Sequence, residues 1–172
     1  MNINAFQNYN LRDNNCSNTS FTSLNIKVKG AEFKKNPIDG QRIIEAIENN
    51  VGIKNFFSNH NGKITITSGT INVPVTHEYP DCLKKVPTRS LPIDQFTVDE
   101  TSYCINIKCR YKRPFALKYL FKKPVLVKAG IKNEKEVLSW DTCVGYTLRL
   151  INEKLADAIN GCEQRRLKVE KP

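Results

Sequence analysis

The chain has 172 residues, of which 40% are hydrophobic and 26% charged, and its formal net charge at neutral pH is +10. This length and composition argue against an intrinsically disordered chain and predict one domain with its own hydrophobic core. No apolar run reaches the roughly 18 residues of a transmembrane helix, and the polar N-terminus lacks the features of a signal peptide. We therefore expect an intracellular protein whose positive charge attracts polyanions.

The cysteines are too sparse in a chain of this size to form the disulfide-dense scaffold of a small secreted protein. We interpret them as reduced thiols, most of which are small core residues. They are Cys16, Cys82, Cys104, Cys109, Cys143 and Cys162.

The first part of the chain predicts a polar arm, a strand and a helix. Residues 1–22 are rich in asparagine, serine and threonine, which predicts a flexible arm. Apolar and polar residues then alternate over 24–29, as in a strand with one buried face. An amphipathic helix is predicted over about 39–51, where apolar residues recur at helical spacing. These apolar residues are Ile43, Ile44, Ile47 and Val51.

The middle of the chain predicts a hairpin and a loop. Two alternating runs, 63–67 and 71–75, flank Ser68-Gly69 and indicate a β-hairpin. Pro74 has no backbone N–H to donate, so its strand should lie at a sheet edge. Residues 76–97 contain three prolines and no sustained period, which predicts a long irregular loop.

The last part of the chain contains the clearest strand. Residues 103–111 alternate strictly, with one apolar and one cationic face. A short helix within 115–122 and a short strand over 125–127 should follow. A second amphipathic helix is predicted after a cap at Asp141 or Thr142. Its apolar stripe consists of Leu148, Ile151, Leu155, Ala158, Ile159 and Cys162.

This order of elements predicts an α+β fold. We expect a single compact domain with a mainly antiparallel sheet, two amphipathic helices and a flexible N-terminal arm. The arm is placed at 1–22, the domain at 23–163 and a basic C-terminal tail at 164–172.

No motif indicates a reaction, a cofactor or a metal. His77-Glu78 lacks the second histidine of a zinc protease motif, because Asp81 stands at that position. Cys104 and Cys109 are five residues apart, and on a strand this odd spacing places them on opposite faces. We therefore predict a non-enzymatic protein with no catalytic, cofactor-binding or metal-binding residues.

An effector enzyme with a cysteine nucleophile, bacterial or viral, is the alternative. Cys82 lies near His77 in the sequence, and Asp81 and Asp94 are close to both. A nucleophile, a base and an orienting acid are the residue types that such chemistry requires. A chain with six cysteines also provides them by chance, since most cysteines are packing residues.

Positive charge is concentrated in residues 101–133, which contain nine lysines and arginines and no acidic residue. Cations on one strand face would be about 7 Å apart, comparable with the phosphates of an extended single strand. Phe115, Tyr119 and Phe121 are suited to stack on bases. The simpler interpretation is a solvated strand face whose charges protect an edge. We predict polyanion binding by Lys108, Arg110, Lys112, Arg113, Lys118, Lys122 and Lys123.

Two kinds of polyanionic partner suit this mixture of lysine and aromatic residues: RNA or a ribonucleoprotein, and an anionic membrane surface. No known nucleic-acid-binding signature accompanies the charge. If RNA is the partner, we expect weak sequence preference and strong salt dependence.

The overall plan resembles the small matrix proteins of negative-strand RNA viruses, particularly those of plant rhabdoviruses. The shared features are a short basic chain, the polar arm MNINAFQNYNLRDNNCSNTS, an α+β body and the basic segment CRYKRPFALKYLFKK. The resemblance implies a homo-oligomeric structural protein of the virion, present in the host cytoplasm or nucleus. It also implies binding to the ribonucleocapsid and contact with anionic membrane.

Overall fold

The computed structural model describes residues 18–20, 24–78 and 95–170. They contain one five-stranded mixed sheet in which the strands are ordered as in the sequence. Three of the four strand pairings are antiparallel and the pairing of β2 with β3 is parallel. The predicted α+β fold with a mainly antiparallel sheet is therefore confirmed. The strands are β1 (Asn18–Ser20), β2 (Leu24–Lys29), β3 (Asn61–Glu78), β4 (Gln95–Lys112) and β5 (Val125–Ile131).

The helices form two groups. Three of them occupy the crossover that the parallel β2–β3 pairing requires: α1 (Ala31–Lys35), α2 (Pro37–Asn49) and α3 (Val51–Ser58). The second group follows β5 and consists of α4 (Trp140–Leu150), a π-helical segment (Ile151–Leu155) and α5 (Ala156–Val169). A 3₁₀ helix (Leu117–Tyr119) lies between β4 and β5. The N-cap of α4 is Ser139, whose Oγ accepts a hydrogen bond from the amide of Thr142, so the predicted caps Asp141 and Thr142 were wrong.

One face of the sheet forms the hydrophobic core together with both helix groups. In β4 the alternation places Ile105, Ile107 and Cys109 on this face, and all three are buried. The predicted stripe of the last helix is confirmed, since Ile151 and Leu155 are buried in the same cluster. The other core residues from these elements are Leu24, Ile26, Val28, Phe33, Ile43, Ile44, Ile47, Ile53, Phe57, Ile64, Ile66, Tyr111, Val125, Val127, Cys143, Val144 and Ile159.

The predicted stripe of the first helix was right at its isoleucines and wrong at Val51. This valine is exposed because α2 ends at Asn49 and Val51 begins α3. Asn50 sits between the two helices, where its Oδ1 accepts from the amide of Ile53 at 3.0 Å. Its Nδ2 donates to the carbonyl of Ile151 at 3.1 Å, at the start of the π-helical segment. A single capping residue thus ends the stripe and ties the crossover to the last helix.

The predicted hairpin at Ser68-Gly69 was wrong, because β3 continues through both residues. Gly69 lies opposite Cys104 of β4, which accompanies β3 over its whole length. Within the described residues, the part of β3 beyond Thr67 pairs only with β4, so Pro74 lies at an edge as expected. The predicted loop over 76–97 was wrong at its two ends, because 76–78 and 95–97 are paired strand residues. Residues 79–94 lie outside the described residues.

Regular secondary structure extends beyond both ends of the predicted domain, 23–163. Asn18–Ser20 of the predicted arm form β1, and the rest of 1–22 lies outside the described residues. The predicted tail from 164 was wrong, because α5 continues to Val169. Within the described ranges, no helix is both long and apolar enough to cross a membrane.

Candidate polyanion-binding surface and the connector beside it

The sheet face opposite the helices is cationic. The lysines and arginines of four strands alternate with core residues, so strand geometry directs them all to this face. All of them are exposed except Lys27, which is half-buried. We call this surface the cationic sheet face, and it comprises Lys27, Lys29, Lys63, Lys108, Arg110, Lys112 and Lys128.

Strand register places like charges directly opposite one another on this face. Lys63 lies opposite Arg110, and Lys108 lies opposite Lys128. Directly opposed side chains have Cβ atoms about 5 Å apart, and like charges in such pairs destabilise a sheet. Among the described residues, no carboxylate forms an ion pair with any member of the cationic sheet face. The face therefore concentrates positive charge without internal compensation.

The neutral residues between these cations are small or polar. They include Thr65, Thr67 and Asn106, and the exception is Leu126, a partly exposed apolar side chain opposite Arg110. No aromatic side chain lies on the described face between residues 106 and 112 of β4 or at their strand partners. Farther along the same face, Ser102 and Cys104 are buried, which marks the end of the open surface. This surface is suited to contact phosphates and offers no platform for stacking bases.

The segment that joins β4 to β5, residues 113–124, is organised differently. We call it the β4–β5 connector. Its first residue, Arg113, has a side chain only 5% exposed. Arg113 Nε donates to Glu163 Oε1 at 2.9 Å, and Nη1 donates to both carboxylate oxygens of Glu170 at 2.8 Å. Lys122 Nζ, near the other end of the connector, donates to Glu170 Oε1 at 2.7 Å.

These ion pairs join the connector to the end of α5. The hydrogen bonds from Lys122 and Arg113 lower the pKa of Glu170 to about 2, so its carboxylate is ionised at neutral pH. Tyr111 adds a hydrogen bond from its hydroxyl to Glu163 at 2.9 Å. Burial raises the pKa of Tyr111, and this hydrogen bond raises it further, so the phenol stays protonated.

The predicted site residues thus separate into two groups. Lys108, Arg110 and Lys112 belong to the cationic sheet face, whereas the other four belong to the connector. Of these four, Arg113 is buried and doubly paired and Lys122 is paired, so neither is a free cation. Lys118 and Lys123 are exposed, and no described carboxylate pairs with them.

The aromatic residues of the connector do not form a base-stacking platform with the cations of the sheet. The ring of Tyr119 is covered by cations, with Arg113 Cζ and Lys118 Nζ both 4.9 Å from its centroid. Phe115 and Phe121 are instead 86% and 93% exposed. Beside the connector lies a cavity of about 430 Å³ whose lining includes Lys112, Lys123 and Arg166.

Three residues of the cationic sheet face were missed by the sequence prediction. Lys27 and Lys29 alternate with the core residues of β2, and Lys63 precedes Ile64 in β3. Their alternation was visible, but it did not indicate which strands would be neighbours. Lys128 was counted among the basic residues of 101–133 without being assigned to the site.

The cysteine alternative receives no support from the described thiols. Burial raises the pKa of Cys109 to about 12 and that of Cys143 to about 11, so both remain protonated at neutral pH. His77 Nε2 lies 2.5 Å from Glu100 Oε1, while Cys82 lies outside the described residues. Among the residues that the structure describes, no three histidine, cysteine or acidic side chains are grouped to hold a metal ion.

The two strand cysteines lie as their spacing predicted. Cys109 is in the core and Cys104 is on the opposite face of the sheet.

Comparison with known proteins finds no matching family model, no matching curated protein and no matching solved structure. The resemblance to viral matrix proteins therefore stays a prediction.

Proposed function

We propose that this protein is a non-enzymatic, basic structural protein that binds the phosphate backbone of RNA, alone or in a ribonucleoprotein, through its cationic sheet face. The observation that supports this proposal is the pair of like-charge contacts, Lys63 with Arg110 and Lys108 with Lys128, whose cations form no ion pair with a described carboxylate. Such contacts reduce the stability of the free protein, and a bound polyanion would relieve the repulsion.

The dimensions of the surface favour an extended phosphate chain. Cations along β4 recur every second residue, about 7 Å apart, and neighbouring strands lie about 5 Å apart. Binding through phosphates releases condensed counterions, so affinity should fall steeply with salt. Since the described face has no stacking residues and no groove-reading element, we expect little preference among RNA sequences.

A variant in which two cations of the face are replaced by uncharged residues, with a matched control, tests the proposal. The test variant carries Lys108→Gln and Arg110→Gln, and the control carries Lys54→Gln and Lys154→Gln. The control removes the same charge from exposed helical positions that form no ion pair with described residues. Affinity for a labelled single-stranded RNA is measured between 50 and 200 mM salt, a range over which a phosphate-binding surface should lose orders of magnitude in affinity.

We expect the test variant to bind about tenfold more weakly than the control, with the slope of log affinity against log salt smaller by about one or two. Equal affinity of the two variants, or wild-type binding that is insensitive to salt, would contradict the proposal.

Self-association belongs to the same proposal, because the implied role is that of a matrix protein. Gel filtration of the wild-type protein with and without RNA tests it. We expect a species larger than a monomer that grows when RNA is added, whereas a monomer under both conditions would contradict the matrix-type role.

A further inference from the structure

We infer that the β4–β5 connector is a membrane-docking element, which inserts its exposed apolar side chains into the interface of a bilayer that contains anionic lipids. The apolar side chains that would insert lie outside the cationic sheet face, and the inference does not depend on RNA binding. Three features support it: exposed apolar side chains, ion pairs that anchor the connector to Glu170, and cations beside the cluster that have no described acidic partner.

The connector exposes a cluster of large apolar side chains. Phe115, Leu117 and Phe121 are 86%, 85% and 93% exposed, and Leu120 is half-exposed. Phe115 and Phe121 are the two exposed phenylalanines of the described chain. Single exposed apolar residues are ordinary, but four within seven residues form a cluster of the kind that marks an interaction site.

The connector is anchored at both ends, which keeps these side chains on the surface. Glu170 binds Arg113 at the start of the connector and Lys122 near its end. The 3₁₀ helix between them has three residues per turn, so Leu117 and Leu120 lie on the same side of it. A preformed apolar surface loses less conformational entropy on binding than a flexible loop would.

The charge around the cluster selects an anionic bilayer as the partner. Lys118 and Lys123 are exposed, and no described carboxylate neutralises them. The neighbouring cavity is lined by Lys112, Lys123 and Arg166, none of which has an ion pair with a described residue, and also by the apolar Phe115 and Leu120. Phenylalanine and leucine insert at the boundary of the acyl chains, while lysine remains at the level of the anionic headgroups. Cations near a cavity of this size can contact a headgroup phosphate.

The test variant carries Phe115→Ser, Leu117→Ser and Phe121→Ser, and its net charge equals that of the wild type. The matched control carries Ile38→Ser, Val51→Ser and Val137→Ser, which are exposed apolar positions elsewhere. Cosedimentation is measured with vesicles of phosphatidylcholine with and without phosphatidylserine. We expect the wild type and the control to bind the anionic vesicles, and the test variant to bind at least about tenfold more weakly.

A single substitution tests insertion directly and does not depend on the folding of the triple variant. Phe121→Trp and, as control, Ile38→Trp are compared in vesicles with brominated acyl chains, with Trp140 as a common background. We expect quenching beyond that background for Phe121→Trp alone. Unchanged RNA binding by the triple serine variant would show that its loss of vesicle binding is independent of the RNA proposal.

Three results would overturn the inference. The first is failure of the wild type to bind anionic vesicles, and the second is equal binding by the test variant and the control. The third is a concentration-dependent increase in size of the lipid-free wild type that the test variant lacks, because the cluster would then be covered by a second copy of the chain.

Discussion

Arg110 and Arg113 are three residues apart in one basic segment, yet the fold uses them in opposite ways. Arg110 lies on an open sheet face opposite Lys63 and has no described acidic partner. Arg113 is buried between Glu163 in the middle of the last helix and Glu170 at its C-cap, which lie 50 and 57 residues later in the chain. A run of positive charge in a sequence is therefore not one surface. Here it forms a charged face with unfavourable contacts and an anchored connector in which Arg113 and Lys122 are paired with carboxylates.

The largest expected effect is on stability, and it distinguishes the two arginines. Arg113→Gln leaves Glu163 and Glu170 without their shared partner, so the free energy of unfolding should fall by about 3 kcal/mol. Arg110→Gln should leave it unchanged or raise it slightly, because a like-charge contact is removed. Denaturant unfolding of the two variants measures both values. Equal destabilisation by both substitutions would contradict the division between the two regions.

Charge reversal on the sheet face should abolish RNA binding and preserve the fold. The variant with Lys108, Arg110 and Lys112 all changed to Glu replaces three exposed cations, and we expect affinity to fall by about a hundredfold or more at moderate salt. Circular dichroism checks folding and fluorescence anisotropy measures binding. If the protein unfolds instead, these side chains have been assigned to the wrong face.

Lys128→Glu should change stability and binding in opposite directions. The new carboxylate lies opposite Lys108, so an unfavourable cross-strand contact becomes favourable and stability should rise by about 0.5 kcal/mol. If the cationic sheet face binds RNA as proposed, RNA affinity should fall at the same time, because the face loses a cation. Thermal unfolding and anisotropy on the same sample give both quantities, and a fall in stability would show that the Lys108–Lys128 contact is not repulsive.

The smallest effect should appear in acid and should involve the connector alone. The pKa of Glu170 is lowered to about 2 from an ordinary value of 4.5, so its ion pairs contribute stability that is fully present above pH 4.5. This contribution is lost as the pH falls from 4.5 through about 2. The wild type should therefore lose more stability than Glu170→Gln over this window. Parallel acid dependence of the two proteins would indicate that the carboxylate does not anchor the connector.

Local patterns in the sequence predicted the elements whose two faces differ strongly. The alternation over 103–111 predicted the central part of β4, and the stripe that includes Ile151 and Ile159 predicted the last helix. Both patterns are visible because every second or every third to fourth side chain must avoid water. The hairpin prediction failed at Ser68-Gly69 because turn-forming residues also fit a strand that has a partner along its whole length.

The candidate site could be predicted only in part, for a similar reason. The basic segment identified Lys108, Arg110 and Lys112, since their own strand carries the pattern. Lys27, Lys29 and Lys63 lie about 45 to 85 residues before the cations of β4, and no local signal states that their strands join β4 in one sheet. The acidic partners of Arg113 could not be predicted from local patterns, because Glu163 and Glu170 lie 50 and 57 residues later in the chain.

The sequence by itself determined the α+β class, the excess of positive charge and which side chains of each element avoid water. These follow from composition and from periods of two and 3.6 residues, which are local properties of the chain. The tertiary structure decided that cations from four strands share one open face, and that two glutamates neutralise Arg113 and Lys122. Strand order and the packing of distant helices set these contacts, so the same basic run of residues could become either surface until the chain was folded.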